Sequence, residues 1–220
     1  MAAVENLSPD AVAEPVLDLE AFRRGQSWAE PYPHLLSEGV VREECKAALV
    51  RDFPDIPKPG FFPLSEMKVT GAFAGLIRDF ESDAFAAIVE EKLGLVLRDK
   101  PRLTTVRKWS ALKDGRIHND GQSKIATVLI YLNEEWSGSS DGNFRVLRSN
   151  ESFDDYVREA PPLTGIAIGF RRTDASWHGH LPFEGERRVV QLAYLASQED
   201  FDRKTKRGRT SLFLKKLFGG

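Results

Sequence analysis

Residues 178–194 read HGHLPFEGERRVVQLAY and pass from two histidines through a turn into a β-forming run. Pro182 and Gly185 mark the turn. The β-branched and aromatic residues after them predict a strand. Because successive side chains of a strand alternate between its faces, one face of this strand carries Arg187, Val189, Gln191 and Ala193. If that face lines an interior, Arg187 needs an anionic partner, since burying an unpaired guanidinium is too costly.

Four more β-rich runs precede this strand. Turn-forming segments separate them, and they cover residues 103–109, 124–132 (KIATVLIYL), 144–147 and 165–170. Short strands at regular spacing favour an all-β barrel or jelly roll. Upstream, apolar residues recur at helical spacing, which predicts helices over 39–52 and from Ser82 onward, with 64–79 leaning helical.

The chain is therefore expected to form one domain with four parts. They are a flexible N-terminus (1–15), a helical support region (16–100), a β core (101–197) and a basic amphipathic tail (198–220) that includes a short helix. The tail can be read in two ways. Its apolar side can dock on the barrel, or its basic residues can contact an anionic membrane surface or a partner.

Three residues upstream and downstream of the strong central strand suggest a metal site. His118 and Asp120 lie two residues apart in Arg-Ile-His-Asn-Asp, so on a strand they share a face. A distant histidine, His178, completes two imidazoles and one carboxylate, a ligand set typical of non-haem Fe(II) oxygenases. His180 has the same strand parity as His178 and is the second choice for this position.

These pieces together resemble a known family. His118-Asn119-Asp120, the run Tyr131-Leu132-Asn133-Glu134-Glu135-Trp136, and His178 followed nine residues later by Arg187 are similar to the 2-oxoglutarate and Fe(II)-dependent dioxygenases, in their prolyl-hydroxylase-like branch. The resemblance spans about residues 101–197. One departure is that Asp141-Gly142 stands where the family usually has Gly-Gly, which leaves the role of this loop in doubt.

The resemblance implies a double-stranded β-helix, related to the cupins, and a hydroxylase that uses Fe(II), 2-oxoglutarate and O2. It assigns His118, Asp120 and His178 to the iron, and Tyr131 and Arg187 to the far carboxylate of 2-oxoglutarate. Arg188 falls on the opposite strand face and is expected to pair with an acid outside. Arg107 and Trp109 are candidates for the substrate pocket, where an aromatic wall and one charge would orient a ligand.

Two other functions stay open at this point. A cupin-like isomerase or hydrolase would use the same metal ligands without 2-oxoglutarate, and a jelly-roll binding module would have no catalysis. For the oxygenase, the substrate is either a prolyl or other peptidyl group or a glycan, with the former favoured by the resemblance.

Composition excludes several classes. The net charge of -2 over 220 residues, with basic residues gathered in the tail, argues against nucleic acid as a partner. The single cysteine, Cys45, excludes an internal disulfide and a cysteine-rich zinc site. The sequence shows neither a long apolar stretch nor a signal-peptide pattern, so we expect a cytoplasmic protein.

Overall fold

The computed structural model describes residues 14–136 and 140–206. Its helices are α1 (Leu19–Arg24), α2 (Lys46–Asp52), α3 (Gly71–Phe80) and α4 (Asp83–Leu93). Residues 198–206 are also helical, and we call them the terminal helix. Single 3-10 turns occur at Glu43–Cys45, Leu64–Glu66 and Leu112–Asp114.

Helix α4 begins and ends where its sequence predicts. The Ser82 side chain accepts a hydrogen bond from the Phe85 backbone N–H (3.1 Å), which satisfies one of the free donors of the first turn. Gly94 ends the helix in the left-handed conformation (φ 63°), which favours glycine. The apolar face between these two caps is fully buried, so α4 is fixed firmly against the sheet.

Ten strands make up the rest of the described fold. They are β1 (Gln26–Trp28), β2 (His34–Ser37), β3 (Phe62–Pro63), β4 (Arg102–Ser110), β5 (Lys124–Tyr131), β6 (Phe144–Leu147), β7 (Tyr156–Ala160), β8 (Ala167–Arg171), β9 (His178–Gly179) and β10 (Gly185–Leu195).

The strands form two antiparallel sheets. The major sheet has the order β1-β2-β8-β5-β10-β4-β3, and the minor sheet has the order β7-β6-β9. The central neighbours β2-β8, β8-β5, β5-β10 and β10-β4 of the major sheet are distant in sequence, as a jelly roll requires. The fold is therefore mainly β with a few helices, consistent with the jelly roll that the strand pattern predicts. Closure of the sheets into a full barrel stays a prediction.

Two apolar cores lie on opposite faces of the major sheet. On the outer face, the helices pack against alternate strand residues such as Val106, Val128, Ile130 and Val190. On the inner face, Leu129, Tyr131, Ile168, Phe170 and Val189 meet Phe144 and Val146 of the minor sheet. Because strand side chains alternate, the outer core fixes which residues face inward, and with them the positions of the polar groups between the two sheets.

The predicted elements are recovered with some corrections. The helix expected over 39–52 starts later, with a 3-10 turn before α2, and the expected helix over 64–79 is a 3-10 turn followed by α3. The support region is not purely helical, because it also contributes β1, β2 and β3 to the major sheet. These strands are short, and the prolines at 31, 33 and 63 obscure their pattern.

The tail is only partly described. Its first residues form the terminal helix, whereas the apolar and basic run after residue 206 lies outside the described residues, so the prediction of a membrane or partner contact has no structural counterpart here. Among the described helices, none combines the length and the apolar character that crossing a bilayer would require.

Candidate active site

The structure brings His118, Asp120 and His178 together. His118 and His178 form an isolated antiparallel bridge, in which each backbone N–H donates to the carbonyl of the other (2.9 and 3.0 Å). Asp120 lies just before β5, and one ligand atom from each of the three side chains lies within 4.8 Å of the other two. Residues 58 positions apart in sequence thus meet because β9 pairs back onto the segment before β5.

Both imidazoles of the triad leave the same ring nitrogen, Nε2, free to bind a metal. Nδ1 of His178 donates to the Ser176 carbonyl (2.8 Å), and Nδ1 of His118 donates to the Arg116 carbonyl (3.2 Å). A carbonyl oxygen only accepts, so the proton is on Nδ1 and each Nε2 keeps a free lone pair. Burial lowers the pKa of His118, and burial together with the neighbouring His118 lowers the pKa of His178 to about 3. The histidines are therefore neutral, the form that binds metal.

Asp120 is held as a carboxylate. Its Oδ1 accepts from Lys124 Nζ (2.7 Å) and its Oδ2 accepts from the Thr127 hydroxyl (2.6 Å). Burial alone would raise the pKa of Asp120, but Lys124, His178 and Thr127 outweigh it and hold that pKa at about 2. The site therefore offers two neutral nitrogens and one anionic oxygen, a donor set that fits Fe(II).

A cationic clamp lies in the same interior. Arg187 is only 2% exposed, its Nε donates to the Gly142 carbonyl (2.7 Å) and its Nη2 donates to the Tyr131 hydroxyl (3.0 Å). Arg187 lies two residues before Val189 on β10, and Tyr131 lies opposite Val189 on β5. This strand pairing brings the Arg187 and Tyr131 side chains within hydrogen-bonding distance. The guanidinium has no carboxylate among these partners, so it is ready for an anionic ligand.

The loop whose role the sequence left in doubt contributes to this clamp. Gly142 has a φ of 77°, a conformation that side chains rarely adopt, and a Cβ there would meet Trp136 at 2.8 Å. This backbone directs the Gly142 carbonyl at Arg187. The departure from Gly-Gly therefore keeps the glycine on which the Arg187 orientation depends.

One cavity of about 240 Å³ connects the triad and the clamp. Its lining includes the triad and the candidate cosubstrate arginine, and further contains Phe61, Arg107, Asp114, Arg116, Lys124, Thr127, Leu129, Phe144, Phe170, Gly179, His180 and Gln191. Of the two predicted pocket residues, Arg107 lines this cavity, whereas Trp109 is not part of its lining.

The structure separates the residues that competed for roles. His180 lines the cavity, but its Nδ1 bonds to the Leu181 carbonyl (2.7 Å) and it is outside the three-residue ligand group. Arg188 pairs with Glu186, away from the clamp. Both placements are compatible with the choice of His178, made from the family motif and its spacing to Arg187, and with the choice of Arg187, made from that spacing and from strand parity.

Several supporting residues escaped the sequence-based prediction. Lys124 and Thr127 donate hydrogen bonds to Asp120. Asn119, which lies between His118 and Asp120 in the chain, accepts a hydrogen bond on Oδ1 from the Ser176 hydroxyl (2.7 Å). Thr127 has the same strand parity as Tyr131, but no sequence pattern marks it as a partner of Asp120. Burial and the charge of Lys124 lower the pKa of Lys204 in the terminal helix.

Residues 108–196 match the family model described as the 2OG-Fe(II) oxygenase superfamily. No curated protein matches the chain.

Solved structures share the fold at low sequence identity. A Pseudomonas putida prolyl-4-hydroxylase has a TM-score of 0.52 and 16% identity, with 74% of this chain and 84% of that chain covered. The viral collagen prolyl hydroxylase of Paramecium Bursaria Chlorella virus-1, in complex with 2-oxoglutarate, has a TM-score of 0.54 and 13% identity, with 75% and 96% covered. HygX from Streptomyces hygroscopicus, with nickel and 2-oxoglutarate bound, has a TM-score of 0.52 and 15% identity, with 75% and 83% covered. Residues 108–196 thus match the 2OG-Fe(II) oxygenase superfamily, which confirms the resemblance seen in the sequence, and this match together with the His118, Asp120 and His178 group supports a 2-oxoglutarate-dependent enzyme with Fe(II), 2-oxoglutarate and O2 as its cofactors.

Proposed function

We propose that this enzyme hydroxylates an unactivated C–H bond of a peptidyl substrate, with a prolyl residue as the first candidate. The observation that carries the proposal is that one cavity is lined both by the His118, Asp120 and His178 ligand group and by the buried Arg187, whose Nη2 donates to the Tyr131 hydroxyl behind it. A cupin-like isomerase or hydrolase would need the metal ligands but would give Arg187 no anion to bind.

The triad would hold the iron, which supplies the oxidising chemistry when 2-oxoglutarate and O2 are bound. The protein side chains keep the ligands in position. Backbone carbonyls fix both imidazole rings through Nδ1, and Lys124 and Thr127 fix both oxygens of Asp120. Such supporting hydrogen bonds hold a metal-binding geometry before the metal arrives.

Arg187 and Tyr131 would bind the far carboxylate of 2-oxoglutarate. The guanidinium is held in place by the Gly142 carbonyl and the Tyr131 hydroxyl, so little side-chain entropy is lost when a carboxylate binds. Burial raises the pKa of the Tyr131 hydroxyl. It therefore stays protonated and able to donate to a carboxylate.

The substrate class rests on the neighbours. Two solved structures with the same fold are prolyl hydroxylases, one of them a collagen prolyl hydroxylase. A glycan acceptor, and a membrane contact of the tail, remain predictions from the sequence alone.

Succinate release tests the reaction class directly. Purified protein with Fe(II), ascorbate, 2-oxoglutarate and O2 should convert 2-oxoglutarate to succinate, and a panel of proline-containing peptides should increase the rate. His118→Ala and Asp120→Ala should abolish succinate formation, whereas the exposed control Asp99→Ala should retain it. Full turnover in either triad variant would refute the proposal.

Binding of 2-oxoglutarate tests the clamp. Titration of 2-oxoglutarate into the anaerobic Fe(II) protein should produce a weak metal-to-ligand absorption band in the visible range. Arg187→Met should shift the titration midpoint to a concentration at least about tenfold higher, because a charge-assisted hydrogen bond is lost. Arg148→Met, which removes a surface arginine paired with Asp155, should leave the midpoint unchanged.

A further inference from the structure

Arg107 is a second buried cation in the active-site cavity. The residue is 7% exposed, and its Nε has no hydrogen-bond partner among the described residues although it is shielded from solvent. Its guanidinium carbon lies 4.2 Å from the centre of the Phe61 ring. One face is thus covered by an aromatic ring, which leaves the edge of the guanidinium for an anion.

Asp114 forms only a long ion pair with Arg107. The shortest distance between the two side chains is 3.7 Å, from Arg107 Nη2 to Asp114 Oδ2, which is too long for a hydrogen bond. The same Oδ2 accepts a hydrogen bond from the Ala111 backbone N–H (3.0 Å) inside a 3-10 turn. This bond holds the Asp114 carboxylate in its own turn, and Arg107 makes no hydrogen bond to it in the described structure.

The nearby positive charge of Arg187 makes an Arg107 without an anionic partner less favourable. Arg107 and Arg187 lie on paired strands, since Val189 of β10 pairs with Arg107 of β4. Burial and the charge of Arg187 lower the pKa of Arg107 to about 10, so it stays charged near neutral pH. Two buried guanidinium groups in one cavity repel each other unless each has an anionic partner.

Cofactor binding alone does not remove the excess charge. Four cationic side chains line the cavity, Arg107, Arg116, Lys124 and Arg187, against the carboxylates Asp114 and Asp120. Fe(II) and the 2-oxoglutarate dianion cancel each other formally. An excess of positive charge therefore persists in the loaded site, and Arg187 is already occupied under the proposed function.

We propose that Arg107 binds an anionic group, a carboxylate or a phosphate, on the molecule that the enzyme hydroxylates. This inference rests on the proposed function, because it assigns 2-oxoglutarate to Arg187 and leaves Arg107 for the substrate. The enzyme then acts next to a negative charge, as at a residue beside a free carboxyl terminus, an acidic side chain or a phosphoryl group. The planar guanidinium, with Phe61 against its face, favours a bidentate contact with such a group.

Thermal unfolding of the anaerobic Fe(II) protein with saturating 2-oxoglutarate tests this site without a known substrate. Acetate and inorganic phosphate are the probes, titrated at constant ionic strength. We expect at least one of them to raise the melting temperature, and the one that acts distinguishes a carboxylate from a phosphate source. In Arg107→Gln the apparent affinity for that anion should fall about tenfold or more, while the stabilisation by 2-oxoglutarate should persist.

Two further variants complete the experiment. Arg148→Gln, on the surface, should behave as the wild type. If Arg107→Gln does not fold, Arg107→Lys replaces it and should also bind the anion more weakly, because lysine lacks the planar fork.

The outcomes separate this inference from the function on which it rests. If neither anion stabilises the wild-type complex, or if Arg107→Gln responds like the wild type, the assignment of Arg107 is wrong while the oxygenase stands. If Arg107→Gln loses the response to 2-oxoglutarate, Arg107 belongs to the cosubstrate site. If 2-oxoglutarate does not stabilise the wild type, the proposed function and the inference both fail.

Discussion

At the scale of single residues, the candidate metal centre depends on hydrogen bonds that hold its three ligand side chains in place. The Thr127 hydroxyl donates to Asp120 Oδ2 over 2.6 Å while the residue is 1% exposed. Because an unpaired buried carboxylate oxygen is costly, this bond fixes the direction of the carboxylate. Thr127 of β5 thus sets the orientation of the Asp120 carboxylate.

Thr127→Val removes that donor and keeps the shape of the side chain. We expect Fe(II) affinity to fall by roughly tenfold, the lower end of the range for lost supporting bonds. The affinity is measured by titrating Fe(II) into the protein at saturating 2-oxoglutarate and following succinate formation. Thr70→Val is the control, since Thr70 is exposed and makes no side-chain cap. An unchanged affinity in Thr127→Val would show that Lys124 alone orients Asp120.

The neutral state of the histidines leads to a pH dependence. A free histidine with a pKa near 6.5 is mostly protonated at pH 5.5 and would then compete with metal. Burial lowers the pKa of His118, and the pKa of His178 to about 3, so protonation should begin only at lower pH. We expect the affinity for Mn(II), measured by calorimetry, to fall by less than the roughly tenfold that a histidine with a pKa near 6.5 would cause between pH 7.0 and 5.5. A loss of tenfold or more would mean that the rings are protonated in this range.

Site residues were easiest to predict from the sequence where the residue type is rare in the chain and has few common roles. With four histidines in the chain, His118 and His178 were identifiable, and the spacing to Arg187 selected one arginine over its neighbour. Lys124 was not identifiable, because a lysine four residues after an aspartate is most often a solvated surface pair. Its role follows only from the turn that precedes β5.

At the scale of elements, the metal site depends on one of the two shortest strand pairings among the described strands. β9 has two residues, and it pairs both with β6 and, by the isolated bridge, with His118. Length and periodicity cannot reveal such a strand, nor the half-exposed edge strand β7, because two to five residues carry too little pattern. The long strands β4, β5 and β10 were predictable because their alternation extends over eight residues or more.

Gly179 makes this close pairing possible. A Cβ at Gly179 would lie 2.2 Å from the Arg116 carbonyl oxygen, so the strand would have to move away from the His118 segment. Gly179→Ala should therefore separate the two histidines and lower Fe(II) affinity by at least about tenfold, since a displacement of one ångström already impairs a site. Gly121→Ala is the matched control beside the same triad, because a Cβ there meets nothing within 4 Å. Equal metal binding by both variants would show that β9 adapts.

At the scale of the whole molecule, the triad joins two sheets. His178 belongs to β9 of the minor sheet, whereas Asp120 is bonded to Thr127 of β5 in the major sheet. The inner core between the sheets packs against one side of the site, with Phe170 4.2 Å and Phe144 5.4 Å from His178, measured between ring centres. A metal bound at this place would connect the sheets directly, so its binding energy would stabilise the global fold.

Metal removal should therefore lower the melting temperature of the whole domain. A metal at about 100 times its dissociation constant stabilises the folded state by about 2.7 kcal/mol. For a chain of this size that corresponds to a rise of roughly 5–10 °C. Differential scanning calorimetry with Mn(II), and then with excess chelator, should show one transition that moves up and returns. Asp120→Ala should lose the shift and Asp99→Ala should keep it. A second transition that ignores the metal would mean that the minor sheet unfolds separately, and the triad would then not couple the two sheets.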